Sequence, residues 1–140
     1  MTKTQRAKTK CHCMNLRRAA NAVSQFYDKC LEPIGLSVNQ FSLLRNIERL
    51  ESCSVSDLAR YVGLERTTLV RTLKPLMERG LITDESAKGQ RNRMLQISGA
   101  GQEVLERGAV LWESAQTQIE EKIGTENVRE LERILALLEE

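Results

Sequence analysis

Apolar positions recur at steps of three and four along most of the chain, and the step falls to two at one place only. Leu16, Ala20, Val23, Tyr27 and Leu31 predict a helix that starts at Cys11 and is ended by Pro33 and Gly35. Ser37 followed three residues later by Gln40 is a capping box for a second helix. Its apolar face is Phe41, Leu44, Ile47 and Leu50. A short third helix runs from Ser54, with Leu58, Ala59 and Val62 on one face and Gly63 as its stop. A fourth, from about Thr67 to Arg79, places Val70, Leu73, Leu76 and Met77 inward and ends at Gly80. Pro75 lies inside it and removes one helical hydrogen bond.

The period then changes to two. Leu81–Glu85 and Arg93–Ser98 predict short strands joined by the polar, glycine-bearing stretch Ser86–Asn92. Ser98 caps a long helix whose face is Val104, Gly108, Leu111, Ala115 and Ile119, with Leu105 and Trp112 adjoining. Gly124 and Thr125 break it. A last helix carries Val128, Leu131, Leu135 and Leu138 at heptad spacing. The predicted fold is mainly α with a small β-hairpin wing. Residues 1–10 form a basic flexible arm, 11–36 an N-terminal dimerisation helix, 37–98 a winged helix-turn-helix, and 99–140 C-terminal dimerisation helices.

Two short helices joined at Gly63 and followed by a hairpin have the layout of a helix-turn-helix with an appended wing. Ala59 is small where the helices must approach, and Leu64 and Val70 are expected to fill the joint. Thr67, Thr68, Arg71 and Thr72 project away from the inward set, with Pro75 beside them. Hydroxyls bond phosphates or base edges, and arginine forks onto guanine, so this face suits a helix in a major groove. Lys88, Arg91 and Arg93 sit on the hairpin. Arg91, at its tip, suits a narrow A·T-rich minor groove. The first and last two helices carry apolar stripes with no partner inside one small winged domain, which predicts self-association.

Net charge is only +2, but it is unevenly spread. Residues 1–59 hold nine Lys and Arg against five Asp and Glu, residues 60–98 eight against four, and residues 99–140 four against ten. A basic middle and an acidic tail point to a polyanion partner for the middle alone. With 41% hydrophobic and 29% charged residues the chain has ordinary globular composition, which excludes a wholly disordered protein. No apolar run suits a membrane span and no secretory segment is visible, so a cytoplasmic protein with no membrane partner is expected. A single histidine, His12, excludes multi-histidine catalysis, and 4% aromatic residues are too few for a single-strand stacking surface. There is no nucleophile-and-base pair, phosphate loop or carboxylate pair with a chemical context. No enzyme and no cofactor are predicted.

Cys11, Cys13, Cys30 and Cys53 are expected as reduced thiols. Cys11-His12-Cys13 is not a metal motif. Residues two apart on a helix point about 200° from each other, so both sulfurs cannot hold one ion.

The chain resembles the MarR family of winged helix-turn-helix regulators from about Cys11 to Leu138. The residues that carry the likeness are Gly35-Leu36 with Gln40 and Leu44, Asp57-Leu58-Ala59, Gly63-Leu64, Thr67-Thr68-Leu69-Val70-Arg71, Leu76-Met77-Glu78-Arg79-Gly80-Leu81-Ile82, and Leu95-Gln96-Ile97-Ser98 with Gly101. The resemblance implies a homodimer with interlocked first, fifth and sixth helices. It implies a double-stranded, pseudo-palindromic DNA operator, and a repressor released by a small aromatic or phenolic effector. The effector would lie between the dimer helices and the winged domain, where Tyr27, Leu31, Phe41 and Trp112 are candidate lining residues. One departure is at the wing tip, where the family often has Asp-Arg-Arg and this chain has Gly89-Gln90-Arg91, so the carboxylate clamp on Arg91 is missing. The placing of Cys13, fourteen residues before Tyr27, looks like the peroxide-sensing branch, although Arg17 and Val38 replace other sensor tyrosines. A thiol-based switch using Cys13 is therefore the alternative to a small effector.

Overall fold

A computed structural model describes residues 9–84 and 94–140. The candidate wing residues Lys88, Arg91 and Arg93, and most of the basic arm, lie outside these residues. In chain order the elements are α1 (His12–Cys30), a single 3-10 turn (Glu32–Ile34), α2 (Val38–Leu50), β1 (Cys53–Ser54), α3 (Val55–Val62), α4 (Arg66–Glu78), β2 (Ile82–Asp84), β3 (Met94–Ile97), α5 (Gly99–Ile123) and α6 (Thr125–Leu138). The predicted helices are all present.

The helix ends follow local chemistry. Ser37 and Gln40 form the full reciprocal capping box of α2. The second N–H of that turn is also satisfied, since Val38 N donates to Asp28 Oδ1 on α1 at 2.7 Å. Ser54 Oγ accepts from Asp57 N at 3.0 Å, while the Asp57 carboxylate turns to Arg60 at 2.7 Å. The Ser54 side chain beside that carboxyl first, and Arg60 second, hold it below its ordinary value. Gly63 ends α3 with φ 72°, a left-handed value that glycine tolerates without strain.

The wing base differs from the predicted two-stranded hairpin. A third strand, β1, pairs with β3 at Cys53–Leu95 and Ser54–Met94, giving the antiparallel order β1-β3-β2. Two residues are too few for alternation to announce a strand. Cys53 is buried there, and burial, followed by nearby Asp57, pushes its thiol pKa up.

One hydrophobic core spans Leu31, Phe41, Leu44, Ile47, Leu58, Leu69, Leu73, Leu76, Leu95 and Leu105. It places the inward face of α4 on Leu69, Leu73 and Leu76. Val70, expected inside, is 45% exposed, and Leu64, expected to fill the joint, is 41% exposed. Leu69 and Leu73 are four apart and share a side, whereas Val70 is turned about 100° from Leu69. The joint is closed instead by Leu58 and Leu69, both fully buried.

Two close approaches set how α5 lies on the winged module. A β-carbon at Gly101 would stand 2.2 Å from the Leu81 carbonyl oxygen, and one at Gly108 would stand 2.4 Å from Phe41 Cε2. Arg79 ties the 3-10 turn down. Its Nη1 donates to Gly35 O at 3.0 Å and its Nη2 to Ile34 O at 3.1 Å.

Candidate nucleic-acid interface and effector cleft

The core fixes the rotation of α4 and therefore what α4 shows to solvent. With Leu69, Leu73 and Leu76 inward, Thr67, Thr68 and Arg71 are exposed and Thr72 is half-buried. The Thr72 hydroxyl donates to Thr68 O at 3.0 Å, which leaves its lone pairs free to accept. Arg66 and Lys74, not singled out from the sequence, are exposed on the same helix, and with Arg71 make no ion pair among the described residues. Their signal was available, since each lies off the inward leucine positions. The α4 N-cap is Glu65, whose side chain caps nothing, so among the described residues the first-turn N–H groups have no side-chain partner. Pro75 lies inside α4 and has no N–H to give to the Arg71 carbonyl, so the ladder lacks one rung there.

Two of these threonines also face α2. Thr68 and Thr72 share a cleft of about 510 Å³ with Asn39, Ser42 and Asn46. Thr67 and Arg66 border a second cleft, of about 410 Å³, with Val70 and Leu95 on the sheet side. The helix therefore stands as a ridge between two grooves, with uncharged polar groups on one side.

The four candidate effector-lining residues do not meet in one place. Leu31 is 0% exposed and Phe41 1%, and both belong to the core. Phe41 and Trp112 do border one cleft of about 240 Å³ between α2 and α5. Tyr27 is elsewhere, on α1, where its hydroxyl donates to Gln116 Oε1 of α5. Burial, with Glu120 and Cys30 nearby, raises the Tyr27 pKa. The residue that sequence reasoning missed is Arg45. Its guanidinium lies 4.8 Å from the Trp112 ring centroid and 5.8 Å from that of Phe41. Its place one turn after Phe41 was legible; the approach of α5 was not.

Cys11 and Cys13 are exposed at the start of α1, Cys30 is half-buried and Cys53 is buried. Apolar side chains are exposed along α1 at Met14, Leu16 and Val23, and along α6 at Leu131, Ile134, Leu135, Leu137 and Leu138. Among the described residues no helix is long and apolar enough to cross a membrane.

A capped two-helix unit turned at Gly63, followed by a three-stranded wing base and framed by long helices, defines a winged helix-turn-helix regulator fold. The sequence model described as the MarR family matches residues 34–91. The M. tuberculosis transcriptional regulator MosR, solved in complex with DNA, is 30% identical, with 93% of this chain and 97% of that chain covered and a TM-score of 0.78. The repressor CouR, solved on a 23-mer DNA duplex, is 23% identical over 96% of this chain and 100% of that one, with a TM-score of 0.84. The oxidised form of MarR from E. coli is 15% identical over 95% and 97%, with a TM-score of 0.74. The chain belongs to the MarR family of transcription regulators, which are not enzymes.

Proposed function

We propose that the chain is a homodimeric, sequence-specific DNA-binding repressor that a small aromatic effector releases from its operator. The observation that carries this is α4. Its inward leucines lock a face of Thr67, Thr68 and Arg71 outward, with the Thr72 hydroxyl beside them. The 30% identity to MosR, which was solved on DNA, supports a DNA partner. The basic balance of residues 60–98 supports the same reading, with Lys88, Arg91 and Arg93 of the wing as added contacts. The exposed apolar stripes of α1 and α6 supply the surface for two protomers to pair through residues 11–36 and 99–140. A cytoplasmic location fits such a role.

Selection of binding sites from random duplex DNA tests this directly. A pseudo-palindrome with half-sites about one helical turn, roughly 10 bp, apart is expected. Arg71→Ala should relax preference at one position and cost about 1–3 kcal/mol there. Arg91→Ala should weaken sites with A·T-rich flanks most. No enriched sequence, or a stable monomer in sedimentation at micromolar protein, refutes the reading.

Exposure of Cys13 in the first turn of α1 favours a second reading, release by oxidation of that thiol. Here Cys13→Ser keeps DNA affinity and ignores organic peroxide, while Cys30→Ser and Cys53→Ser respond as the parent does. Wild-type protein that stays on DNA with Cys13 oxidised removes this alternative.

A further inference from the structure

Val70 is an apolar side chain on a polar surface. It is 45% exposed on α4, while Leu69, Leu73 and Leu76 of the same helix are in the core. Among residues 66–72 it is the only exposed apolar side chain. A half-exposed valine gives the fold little, since it buries only part of its area and forms helices less readily than alanine. Its surroundings are charged. Successive helical residues turn by about 100°, so Thr67 lies about 60° from Val70 and Arg71 about 100° from it. Arg66, four residues before, and Lys74, four after, rise on the same side of the helix as Val70. All four are exposed, and the three cations make no ion pair among the described residues.

Two methyl groups ringed by unpaired cations match a polyanion that itself presents an apolar group. In duplex DNA the phosphates meet the cations, and the apolar group on the major-groove edge of the bases is the thymine C5-methyl. A β-branched side chain in a helix holds essentially one rotamer, so both valine methyls are fixed before DNA arrives. Thr67 and Arg71 beside it offer hydrogen bonds, which do not sense a methyl group. We propose that Val70 is a specificity-determining residue, its methyls closing on the C5-methyl of one thymine in each operator half-site. The proposal rests on the DNA-binding reading above and adds a preference that the polar side chains of α4 do not supply.

The full chain is used to select sites from random duplex DNA. In the enriched operator each thymine is then replaced in turn by uracil, symmetrically in both half-sites. Uracil keeps every hydrogen-bonding group of thymine and lacks only the methyl. With the parent protein, one symmetric pair of thymines should matter. Each should lose about fourfold, the value of one buried methyl-sized group, and the pair about sixteenfold. Val70→Ala should bind the thymine operator about as weakly as the parent binds the uracil one, and should not distinguish the two. Alanine favours a helix, so this variant keeps its fold, which urea unfolding checks, and the uracil scan of the parent needs no variant at all. The proposal is overturned by a parent that loses affinity at no uracil, or by a uracil loss as large in Val70→Ala as in the parent. It is also overturned if Val70→Ala weakens operator and random DNA alike. That result would assign Val70 to packing along the cleft of about 410 Å³ that it borders with Leu73 and Leu95. In each of these cases the enriched operator stands and only the role of Val70 falls. The absence of any enriched sequence overturns the regulator reading and this proposal together.

Discussion

Replacing Gly101 by alanine should destabilise the protein although alanine is the better helix former. Gly101 is in the first turn of α5, where its N–H donates to the Ser98 hydroxyl at 3.0 Å. A β-carbon there would lie 2.2 Å from Leu81 O, 2.9 Å from Ile97 Cγ2 and 3.1 Å from the Leu81 carbonyl carbon. Carbon–oxygen contacts ordinarily close no nearer than about 3.3 Å, so α5 must withdraw by roughly 1 Å. Leu81 O is not free to yield, because it accepts the Ser98 N–H at 3.1 Å and Leu81 is part of the core. Overpacking of this kind costs about 1–3 kcal/mol, and loss of the Ser98–Leu81 hydrogen bond about 1 kcal/mol more. Exchange of glycine for alanine in a helix returns about 1 kcal/mol. The net expectation is a loss of about 2 kcal/mol, or roughly 6 °C in Tm for a chain of this size. Gly99→Ala is the control, since no described residue has an atom within 4 Å of its β-carbon. It should be neutral or gain up to about 1 kcal/mol. Urea and thermal unfolding at one fixed protein concentration measure both, because self-association makes the apparent stability concentration-dependent. Gly101→Ala as stable as Gly99→Ala would refute the reasoning.

Gly108→Ala should also lose stability, by about 1–2 kcal/mol net, because its β-carbon meets the buried Phe41 ring and Ile34 Cδ1 at 2.9 Å; urea midpoints check it, and a gain would show that Phe41 turns aside freely. Arg79→Lys should lower the urea midpoint by about 1 kcal/mol, since one ammonium cannot serve both Gly35 O and Ile34 O as the fork does; retention of full stability would show that the clamp is idle. In a Tyr61→Phe background, Tyr27 should ionise above the usual tyrosine range of about 10 when followed by ultraviolet absorbance, with burial as the main cause. The folded state holds that proton more tightly than the unfolded one, so this stabilisation is complete below the unfolded value. It disappears as pH rises through the folded value. Gln116→Ala, which removes the acceptor of the Tyr27 hydroxyl, should lower stability at neutral pH by about 1 kcal/mol.

Much of the outward face of α4 was legible because the helix is amphipathic and its outward residues are polar whichever leucine leads. Thr67, Thr68 and Arg71 face solvent as the sequence pattern predicts. The inward set was displaced by one position, with Leu69 in the place expected for Val70. Two adjacent apolar residues fit the same helical period nearly equally well, and only packing against Leu58 and Leu73 decides between them. The four candidate effector residues were brought together only in part. Phe41 and Trp112 do border one space, while Leu31 and Tyr27 are drawn into separate contacts. Apolar and aromatic character says that a residue tends to be covered without saying by what.

By itself the sequence determined the helices, their ends and the turn between α3 and α4. These depend on interactions among residues a few positions apart, such as the Ser37–Gln40 box and the left-handed glycine at Gly63. It also determined that α1 and α6 carry apolar stripes too large for one small domain. Tertiary structure alone decided the rest. Strand β1 exists because β3 offers Cys53 and Ser54 a partner some forty residues on. The closeness of α5 to Leu81 and Phe41, which makes Gly101 and Gly108 necessary, is a distance between segments that no local period encodes. The seat of Arg45 on Trp112 likewise joins α2 to α5 across a long stretch of chain. Periodicity reports which side of an element is covered. Which residues then meet depends on how the elements cross, and that is settled by the packing of the whole core at once.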